Sequence, residues 1–348
     1  MINFLKDIYS YFSFKRKEPN FSVGFFCENR YIFEYLKPYI INKSKKKKIV
    51  LISFEKLNFE ETDRVKKYIF NTNFFRELLF LTLKLRYLYS STPDLGYTTF
   101  KKSKFYKCKY IFLQHAPVSL TMVYNEKAFD LFDAVQAVNI YQFREMKEII
   151  IKRSLKTKVF KGKYLFLSKY NKNNNKITSG NVDLLIAPSW NSKFYQLNCH
   201  LNLKEILEKN NIRYILRPHP MSIKKKETSL NDLKNNKIPF DISQDLNLKN
   251  FNFLVSDWSG IFIEFAIINK RKAFLINTPK KIKNKNYMNY KNTPIEISLR
   301  NDLGKTFDTN ELEKLVNQLI SDKSNFNNSE MSLENENINK KINETFYI

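Results

Sequence analysis

The chain has 348 residues and a formal net charge of +26, because 60 lysine and arginine residues outnumber 34 aspartate and glutamate residues. This length allows two domains of ordinary size, and a hydrophobic content of 43%, with 31 phenylalanines and 20 tyrosines, excludes an intrinsically disordered protein. The three cysteines (Cys27, Cys108 and Cys199) are widely spaced and odd in number, which excludes a disulfide framework and a cysteine-rich metal site and indicates a reducing cytosol.

The positive charge has two interpretations that the sequence leaves open. One is a polyanionic partner such as nucleic acid, anionic lipid or a phosphate-rich polymer, and the other is a lysine- and asparagine-rich coding bias. Lysine is spread along the whole chain, and no helix-turn-helix, zinc-finger or RNP-like motif accompanies it. We therefore expect no dedicated nucleic-acid binding, whereas an anionic membrane surface remains a candidate partner.

Residues 1–20 are predicted to form an amphipathic N-terminal segment, in which apolar residues from Ile2 to Phe14 precede the basic cluster Lys15 to Lys17. Such a segment either lies in a membrane interface or packs as a helix on the protein. No apolar run approaches the roughly 18 to 20 residues of a transmembrane helix, and Lys6 and Asp7 interrupt any signal peptide. We expect a cytoplasmic protein, peripheral at the inner face of the cell membrane.

Residues 21–168 alternate between patterns typical of strands and of helices, which predicts an N-terminal Rossmann-like domain with a mainly parallel sheet. In the helix at 141–151, Glu145 and Glu148 are expected to point outward. Strands are expected at 21–27, 49–53 and 68–71, in a stretch ending at 90, and at 110–113 and 134–138; helices are expected at 31–41, around 79–81, at 128–133 and at 141–151.

A polar, asparagine-rich stretch at 169–180 is the predicted linker, and a second alternation at 181–320 predicts a C-terminal Rossmann-like nucleotide-donor domain. Residues 321–348 are expected to form a loose polar tail. Strands are expected at 182–187, 213–216, 253–255 and 273–276, with a short extended stretch at 240; helices are expected at 193–209, near 230, from 259 onward and at 309–320.

The second domain is organised around Asn252 to Pro279, which has the pattern of a strand–helix–strand unit. A polar turn, Ser256 to Gly260, separates the first strand from the helix and lies at the carboxyl edge of the sheet. Free backbone N–H groups and the helix dipole favour an anion such as phosphate at this helix start. Gly260 has no side chain to block close approach.

Four polar groups follow directly after predicted strands: His115, Ser189-Trp190, Arg217 to His219, and Ser256 to Gly260. Ligands of open parallel sheets bind beyond the carboxyl ends of the strands. We therefore expect these groups to line a cleft between the two domains, and this shared placement carries the prediction of a site.

Two of the three histidines follow strands, and each has a functional and a structural interpretation. His115 is either a general base that takes a proton from an attacking hydroxyl or a hydrogen-bonded residue that shapes a loop. Pro218 fixes the backbone between Arg217 and His219, which suit a diphosphate or form a rigid turn with polar groups facing solvent. His200 is expected to be structural.

The turn residues also have two interpretations. Asp257 and Ser259 either cap the following helix or contribute to an anion site at its N-terminus. Glu264, about one turn beyond Gly260, either holds ligand hydroxyls or stabilises the first turns of the helix. No residue cluster has metal-ligand spacing, no P-loop or GxGxxG is present, and no nucleophile-elbow pattern surrounds Ser189 or Ser259. We predict no metal and no cofactor.

These motifs resemble the CDP-glycerol glycerophosphotransferase family, which includes teichoic-acid primases and polymerases and capsule-associated relatives. The similarity extends over roughly residues 90 to 305, in the order found in the family. The matching motifs are QHAPVS at 114–119 with Tyr124 and Ala128-Phe129-Asp130, LIAPSW at 185–190, LRPHP at 216–220, VSDWSGIFIEFA at 255–266 and PIEISLRNDLG at 294–304.

The resemblance implies a GT-B architecture, two Rossmann-like domains facing across a cleft, with no metal requirement. It implies transfer of glycerol phosphate, or a related polyol phosphate, from a CDP-activated donor to a hydroxyl of a lipid-linked or polymer acceptor, with release of CMP. His115 would then be the base, Arg217 and His219 would bind the donor pyrophosphate, and Ser259 and Gly260 would hold phosphate oxygens. We also expect Ser189, Ser256, Asp257 and Glu264 at the donor site.

Two departures from the family pattern affect the expected substrate. The chain has Gln114-His115-Ala116 where the polymerases carry a Trp-His-Gly motif, and Gly260 where they carry a second serine. Two alternative functions stay open: a nucleotide-sugar GT-B glycosyltransferase for surface polysaccharide, and a non-catalytic basic protein that binds membranes or polymers.

Overall fold

A computed structural model describes residues 2–170, 183–243, 246–324 and 329–347, with only the backbone of 329–332. The predicted linker, 169–180, lies almost wholly outside the described residues. The two predicted strand–helix alternations form two parallel sheets, of seven strands and five strands, which confirms the expected α/β fold class.

The N-terminal sheet is entirely parallel and has the strand order β3-β2-β1-β4-β5-β6-β7. Its central strands β1 and β2 are buried on both faces, because helices cover the sheet on each side, and this explains their continuous apolar sequence. The strands are β1 (Val23–Cys27), β2 (Ile49–Ser53), β3 (Val65–Ile69), β4 (Tyr87–Ser90), β5 (Lys109–Phe112), β6 (Ala134–Ala137) and β7 (Lys158–Lys161).

The C-terminal sheet is also parallel, with the order β12-β11-β10-β8-β9. Counted within the domain this is 2-1-3-4-5, the doubly wound order in which the direction of winding reverses between the first and third strands. The strands are β8 (Leu184–Ile186), β9 (Tyr214–Leu216), β10 (Phe253–Ser256), β11 (Ala273–Ile276) and β12 (Gly304–Phe307).

Twelve α-helices are described, and most connect consecutive strands. They are α1 (Ile2–Lys17), α2 (Arg30–Ser44), α3 (Asn73–Leu81), α4 (Ile140–Lys152), α5 (Cys199–Lys209), α6 (Pro220–Lys224), α7 (Leu230–Asn235), α8 (Ile261–Asn269), α9 (Ile295–Ser298), α10 (Arg300–Leu303), α11 (Leu312–Ser324) and α12 (Ser329–Thr345). In the described part of the chain, no helix is both long and apolar enough to cross a membrane.

Two predicted helices differ from the structure. Residues 128–133 form turns, not a helix, because Phe129 and Phe132 are both buried and hold consecutive turns against the core. The helix predicted at 193–209 begins only at Cys199, because Lys193 and Asn198 adopt positive φ angles of 60° and 53° that interrupt helical geometry.

The outward orientation predicted for Glu145 is wrong. Its carboxylate is fully buried and lies on the same face of α4 as the buried Gln142, Met146 and Ile149. Glu148 is half-buried, and its carboxylate accepts hydrogen bonds from residues 291 and 292 of the second domain. The face of α4 that sequence assigned to solvent is therefore partly covered by the other domain.

The loose tail predicted at 321–348 is also wrong where the chain is described. α11 extends to Ser324, and α12 buries Ile338 and Ile342, one turn apart, in the core of the C-terminal domain. Beyond α12 the chain returns to the first domain, where the backbone N–H of Tyr347 donates to the carbonyl of Val138 at 2.9 Å. A narrow apolar stripe within a polar composition is sufficient to dock a helix.

The two domains contact each other along the loop that follows β5 and the segment that follows β11. The backbone N–H groups of Lys283 and Asn284 donate to the carbonyl of Met122, and the Asn284 amide donates to the carbonyl of Thr121 at 2.9 Å. These bonds place the carboxyl edge of the first sheet opposite the carboxyl edge of the second.

Candidate active site

The predicted site residues follow the carboxyl ends of β5, β8, β9 and β10. In the C-terminal sheet, β8 and β10 are hydrogen-bonded neighbours, so the loops after them, at 187–192 and 257–260, open side by side. In the N-terminal sheet, β1, β4 and β5 are adjacent and the loop carrying His115 follows β5. Parallel sheets of this class bind ligands beyond the carboxyl ends of their strands, where these loops lie.

The His115 imidazole is partly exposed and lies among aromatic rings. The ring centroids of Tyr35, Tyr124 and Phe112 lie 6.0, 6.1 and 6.4 Å from that of His115. This surrounding removes water, and burial lowers the pKa of His115 to about 4, so the ring is neutral at physiological pH. Within the described residues, Nδ1 of His115 has no hydrogen-bond partner. A neutral imidazole with a free nitrogen can accept a proton.

Tyr164 fixes the backbone that carries His115. Its hydroxyl lies 2.9 Å from the carbonyl oxygen of His115 and 2.7 Å from Oε1 of Glu264 on α8. The hydroxyl has one hydrogen, so it donates to one of these two oxygens at a time unless Glu264 is protonated and donates to the tyrosine oxygen. Burial raises the pKa of Glu264 to about 7, which agrees with that arrangement. Glu264 therefore contacts the first domain. The sequence analysis had considered only ligand binding or stabilisation of the helix for this residue.

The turn before α8 leaves the helix start without a side-chain cap. Gly260 occupies the N-cap position with no capping hydrogen bond, and the Oγ of Ser259 is 3.5 Å from the N–H of Ile261, at the limit for a hydrogen bond. Gly260 faces the first domain, because an added Cβ would lie 2.6 Å from Cγ1 of Val118. The start of α8 thus packs against the loop that follows His115.

We expect Gly260→Ala to destabilise the closed interface by about 1 to 3 kcal/mol, the usual cost of overpacking. The backbone φ of −59° suits alanine, so the cost comes from the contact with the stiff side chain of Val118 alone. A double-mutant cycle of thermal unfolding with Val118→Ala measures it, and the second substitution should recover much of the loss. If the two substitutions change the stability additively, the proposed contact between position 260 and Val118 is contradicted.

Asp257, Ser189 and Ser256 support the turn. Oδ1 of Asp257 accepts the backbone N–H of Ser189 at 2.8 Å, which joins the two loops at the winding reversal, so the capping role considered for Asp257 is wrong. The Ser256 hydroxyl is fully buried and donates to the carbonyl of Ala187 at 2.7 Å, so it is occupied within the protein. Neither the hydroxyl of Ser256 nor the carboxylate of Asp257 therefore projects freely into the cleft.

Arg300 braces the same turn and was not singled out from the sequence. Its guanidinium donates to the carbonyls of Asp257 and Ile276 at 2.9 and 3.0 Å, and lies 3.9 Å from the ring centroid of Trp258. Trp258 in turn donates from its indole N–H to the carbonyl of Thr278. The Trp258 ring is therefore part of the support of the turn, below the cleft.

Arg217 and His219 follow β9 and remain partly exposed, and Nη1 of Arg217 has no partner within the described residues. Nδ1 of His219 accepts the backbone N–H of Met221 at 3.0 Å. The neutral ring therefore carries its hydrogen on Nε2, which can donate to a ligand. Burial, followed by the positive charges of Lys281 and Arg217, lowers the pKa of His219 to about 3.

Lys281 is the main site residue that the sequence analysis missed. It is half-buried in the segment after β11, with Nζ 5.1 Å from the ring centroid of Trp190. Its charge contributes to the lowered pKa of both His115 and His219. A lysine five residues beyond a strand was the available signal, but the lysine-rich composition concealed it.

The fold and this arrangement define the GT-B class: two parallel Rossmann-like sheets facing across a cleft whose two sides carry polar groups. No protein-family model matches the sequence, and no curated protein matches it. Solved structures do match over the whole chain.

Structures of the wall teichoic acid polymerase TagF are among the similar ones. A structure of that polymerase soaked with CDPG for 15 minutes has a TM-score of 0.55 and 14% sequence identity over 99% of this chain and 99% of that chain. A second, with a histidine replaced by alanine, has a TM-score of 0.51 and 12% identity over 98% of both chains. At such identities the similarity shows a common fold.

Proposed function

We propose that this protein is a transferase of the CDP-glycerol glycerophosphotransferase family, acting in the synthesis of a cell-surface polymer. The observation that supports the proposal is that the loop after His115 contacts Gly260 at the start of α8 in the other domain, while the charge of Lys281 in that domain lowers the pKa of both His115 and His219. A neutral base therefore faces a group of cations and N–H donors suited to a diphosphate. The fold shared with a polymerase soaked with CDPG supports a CDP-alcohol donor.

The reaction requires little covalent chemistry from the protein. The acceptor hydroxyl attacks the phosphorus of the alcohol phosphate, a new P–O bond forms, and the bond to the CMP oxygen breaks. His115 takes the hydroxyl proton, while the charge on the departing CMP is stabilised by Arg217 and Lys281 and by hydrogen bonds from His219 Nε2 and the start of α8. Positioning and electrostatic stabilisation supply most of the rate in phosphoryl transfer.

A panel of activated donors tests the proposal. The purified chain is incubated with CDP-glycerol, CDP-ribitol or UDP-sugars and a lipid-linked polyol acceptor, and released CMP and UDP are quantified. We expect CMP from a CDP-alcohol. Release of UDP alone would instead indicate a nucleotide-sugar glycosyltransferase of the same fold, and the absence of any nucleotide binding would indicate a non-catalytic protein that binds membranes or polymers.

The lowered pKa of His115 predicts an unusual pH dependence. The base is active when neutral, so kcat/KM for the free enzyme should stay constant as pH falls from 7 to 5 and decrease only near pH 4. An unperturbed histidine would lose activity near pH 6.5. Rates measured from pH 4 to pH 8, with circular dichroism to verify folding at each pH, would show whether activity decreases near pH 4 or near pH 6.5. A decrease near pH 6.5 would contradict the prediction.

The N-terminal helix supports peripheral attachment to an anionic membrane. One side of α1 is fixed to the protein, because Phe14 is fully buried and the carboxylate of Asp7 accepts the backbone N–H of Thr72 at 2.7 Å. The other side exposes Tyr9 and Phe12, at 77% and 66%. A pocket of about 660 Å³ adjoins this side, lined by Leu5, Lys6, Tyr9, Ser10, Lys56, Lys67, Ile69 and Asn71. Apolar side chains with lysines beside them suit an interface with anionic headgroups.

We expect the double variant Leu5→Glu/Tyr9→Glu to lower co-sedimentation with phosphatidylglycerol vesicles by at least about tenfold, since it removes inserted apolar surface and adds repulsion. These substitutions leave Phe14 and Asp7 in place, whereas deletion of the helix would uncover the core. Ile151→Glu, at an exposed position on α4, is the matched control. Equal sedimentation of both variants would assign α1 to packing alone.

A further inference from the structure

The loop that carries His115 is held by two buried carboxylates that come from different domains. Glu145 lies on α4 of the first domain and Glu296 on α9 of the second, and both are fully buried. Their acceptor oxygens converge on Ser119, four residues after His115. None of the roles already assigned to the site requires either glutamate.

The two carboxylates accept hydrogen bonds from donors at residues 119–121 of this loop. The backbone N–H of Ser119 lies 3.1 Å from both carboxylate oxygens of Glu296. Oε1 of Glu145 accepts the hydroxyls of Ser119 and Thr121 at 2.7 and 3.0 Å, and Oε2 accepts the N–H of Leu120 at 2.6 Å. The loop is therefore held by Glu145 of its own domain and by Glu296 of the other domain.

The burial of two carboxyl groups lowers the free energy of unfolding, which argues that Glu145 and Glu296 have a role in positioning the loop. Burial, and for Glu145 also the nearby charge of Glu296, raises the pKa of Glu145 to about 8 and that of Glu296 to about 7. Apolar side chains of similar volume commonly stabilise a core as well as buried charged groups do. A carboxylate that accepts loop N–H groups, in contrast, fixes the direction of the backbone it binds.

We propose that Glu296 is a positioning residue through which the donor domain sets the His115 loop, so that the base is correctly placed only when the two domains are closed. Glu145 holds the same loop on its own domain and supplies the fixed half of the contact. This inference rests on the proposed function for its effect on catalysis. Its structural part, the placement of residues 116–121 by Glu296, is independent of the substrate.

The chain offers a matched control for a contact between the domains. Glu148 lies one turn from Glu145 on α4, and its carboxylate also crosses to the second domain, where it accepts the N–H groups of Lys291 and Asn292 at 2.7 and 3.2 Å. Glu148 makes none of the described hydrogen bonds to the His115 loop. Glu148→Gln therefore perturbs the interface without releasing that loop.

The test compares Glu296→Ala, Glu296→Gln and Glu148→Gln in the full chain. In Glu296→Ala we expect the amide of Ser119 to exchange its hydrogen at least about tenfold faster and kcat to fall by about 10²-fold, with KM for the CDP-alcohol unchanged, because misplacement of a catalytic group by about 1 Å has that effect. Glu296→Gln retains one acceptor oxygen and should recover part of both losses, and it also serves if the alanine variant does not fold. Glu148→Gln should change neither.

Two results would overturn the proposal: unchanged exchange at Ser119 in both Glu296 variants, or equal losses of kcat in Glu148→Gln and Glu296→Ala. Failure of the proposed function gives a different result. In that case the wild-type chain releases no CMP from any donor, while hydrogen exchange at Ser119 still reports whether Glu296 holds the loop.

Discussion

We expect His115→Ala to lower CMP release by about 10²- to 10⁴-fold, the contribution typical of general-base catalysis. The ring is neutral at physiological pH, and the charge of Lys281 in the other domain contributes to the lowering of its pKa. The variant should still bind the donor, because the diphosphate contacts come from the other domain. Single-turnover CMP release, beside donor affinity from calorimetry, separates the chemical step from binding.

The control for this experiment is the third histidine. His200 lies in the first turn of α5, with its ring 5.1 Å from that of Tyr195, and it has not been assigned to the proposed site. His200→Ala should retain wild-type turnover. If His115→Ala retains turnover while folding normally, His115 is not the base, and the proton must leave by another route.

The second large effect is expected from Lys281→Met, which should lower kcat/KM by about 10²- to 10³-fold, as the loss of one group that stabilises developing charge commonly does. Methionine preserves most of the apolar stem and removes the charge. Burial lowers the pKa of Lys281, although the carboxylates of Asp257 and Glu296 oppose this, so a cation is held where it is poorly solvated. An anionic diphosphate would relieve that penalty.

Lys280→Met is the matched control, because Lys280 is the preceding residue and is exposed. It should change kcat/KM by less than about threefold if the loss reflects one specific charge and not the general positive field. Raising the salt concentration distinguishes the two further, since screening reduces a general field more than a contact within a cleft. Equal losses in both variants would remove Lys281 from the site.

Much of the fold was predictable because strand signals are local. The apolar runs at 49–53 and 273–276 coincide with β2 and β11, and the alternation with helices predicted two parallel sheets. The edge strands β7 and β12 were not predicted. β7 is short and mostly exposed, so no continuous apolar run marks it.

The candidate site was predicted only in part, for a comparable reason. His115 and Arg217 follow strands directly, and parallel strands end at a common edge, so sequence position alone indicated their grouping. A charged residue such as Glu145 is expected on a helix face toward solvent, and its burial is explained only by the loop at residues 119–121, whose donors its carboxylate accepts. Glu296, Lys281 and Tyr164 likewise act through partners that are 49 to 177 residues away along the chain.

The sequence by itself determined the two-sheet architecture and the end of each sheet at which a ligand would bind, because periodicity and turn residues act over a few neighbouring positions. The tertiary structure alone decided which charged side chains are buried, why position 260 faces Val118 without a side chain, and how α12 crosses back to the first domain. These features depend on desolvation and steric contact between segments distant in sequence, and no local pattern encodes them.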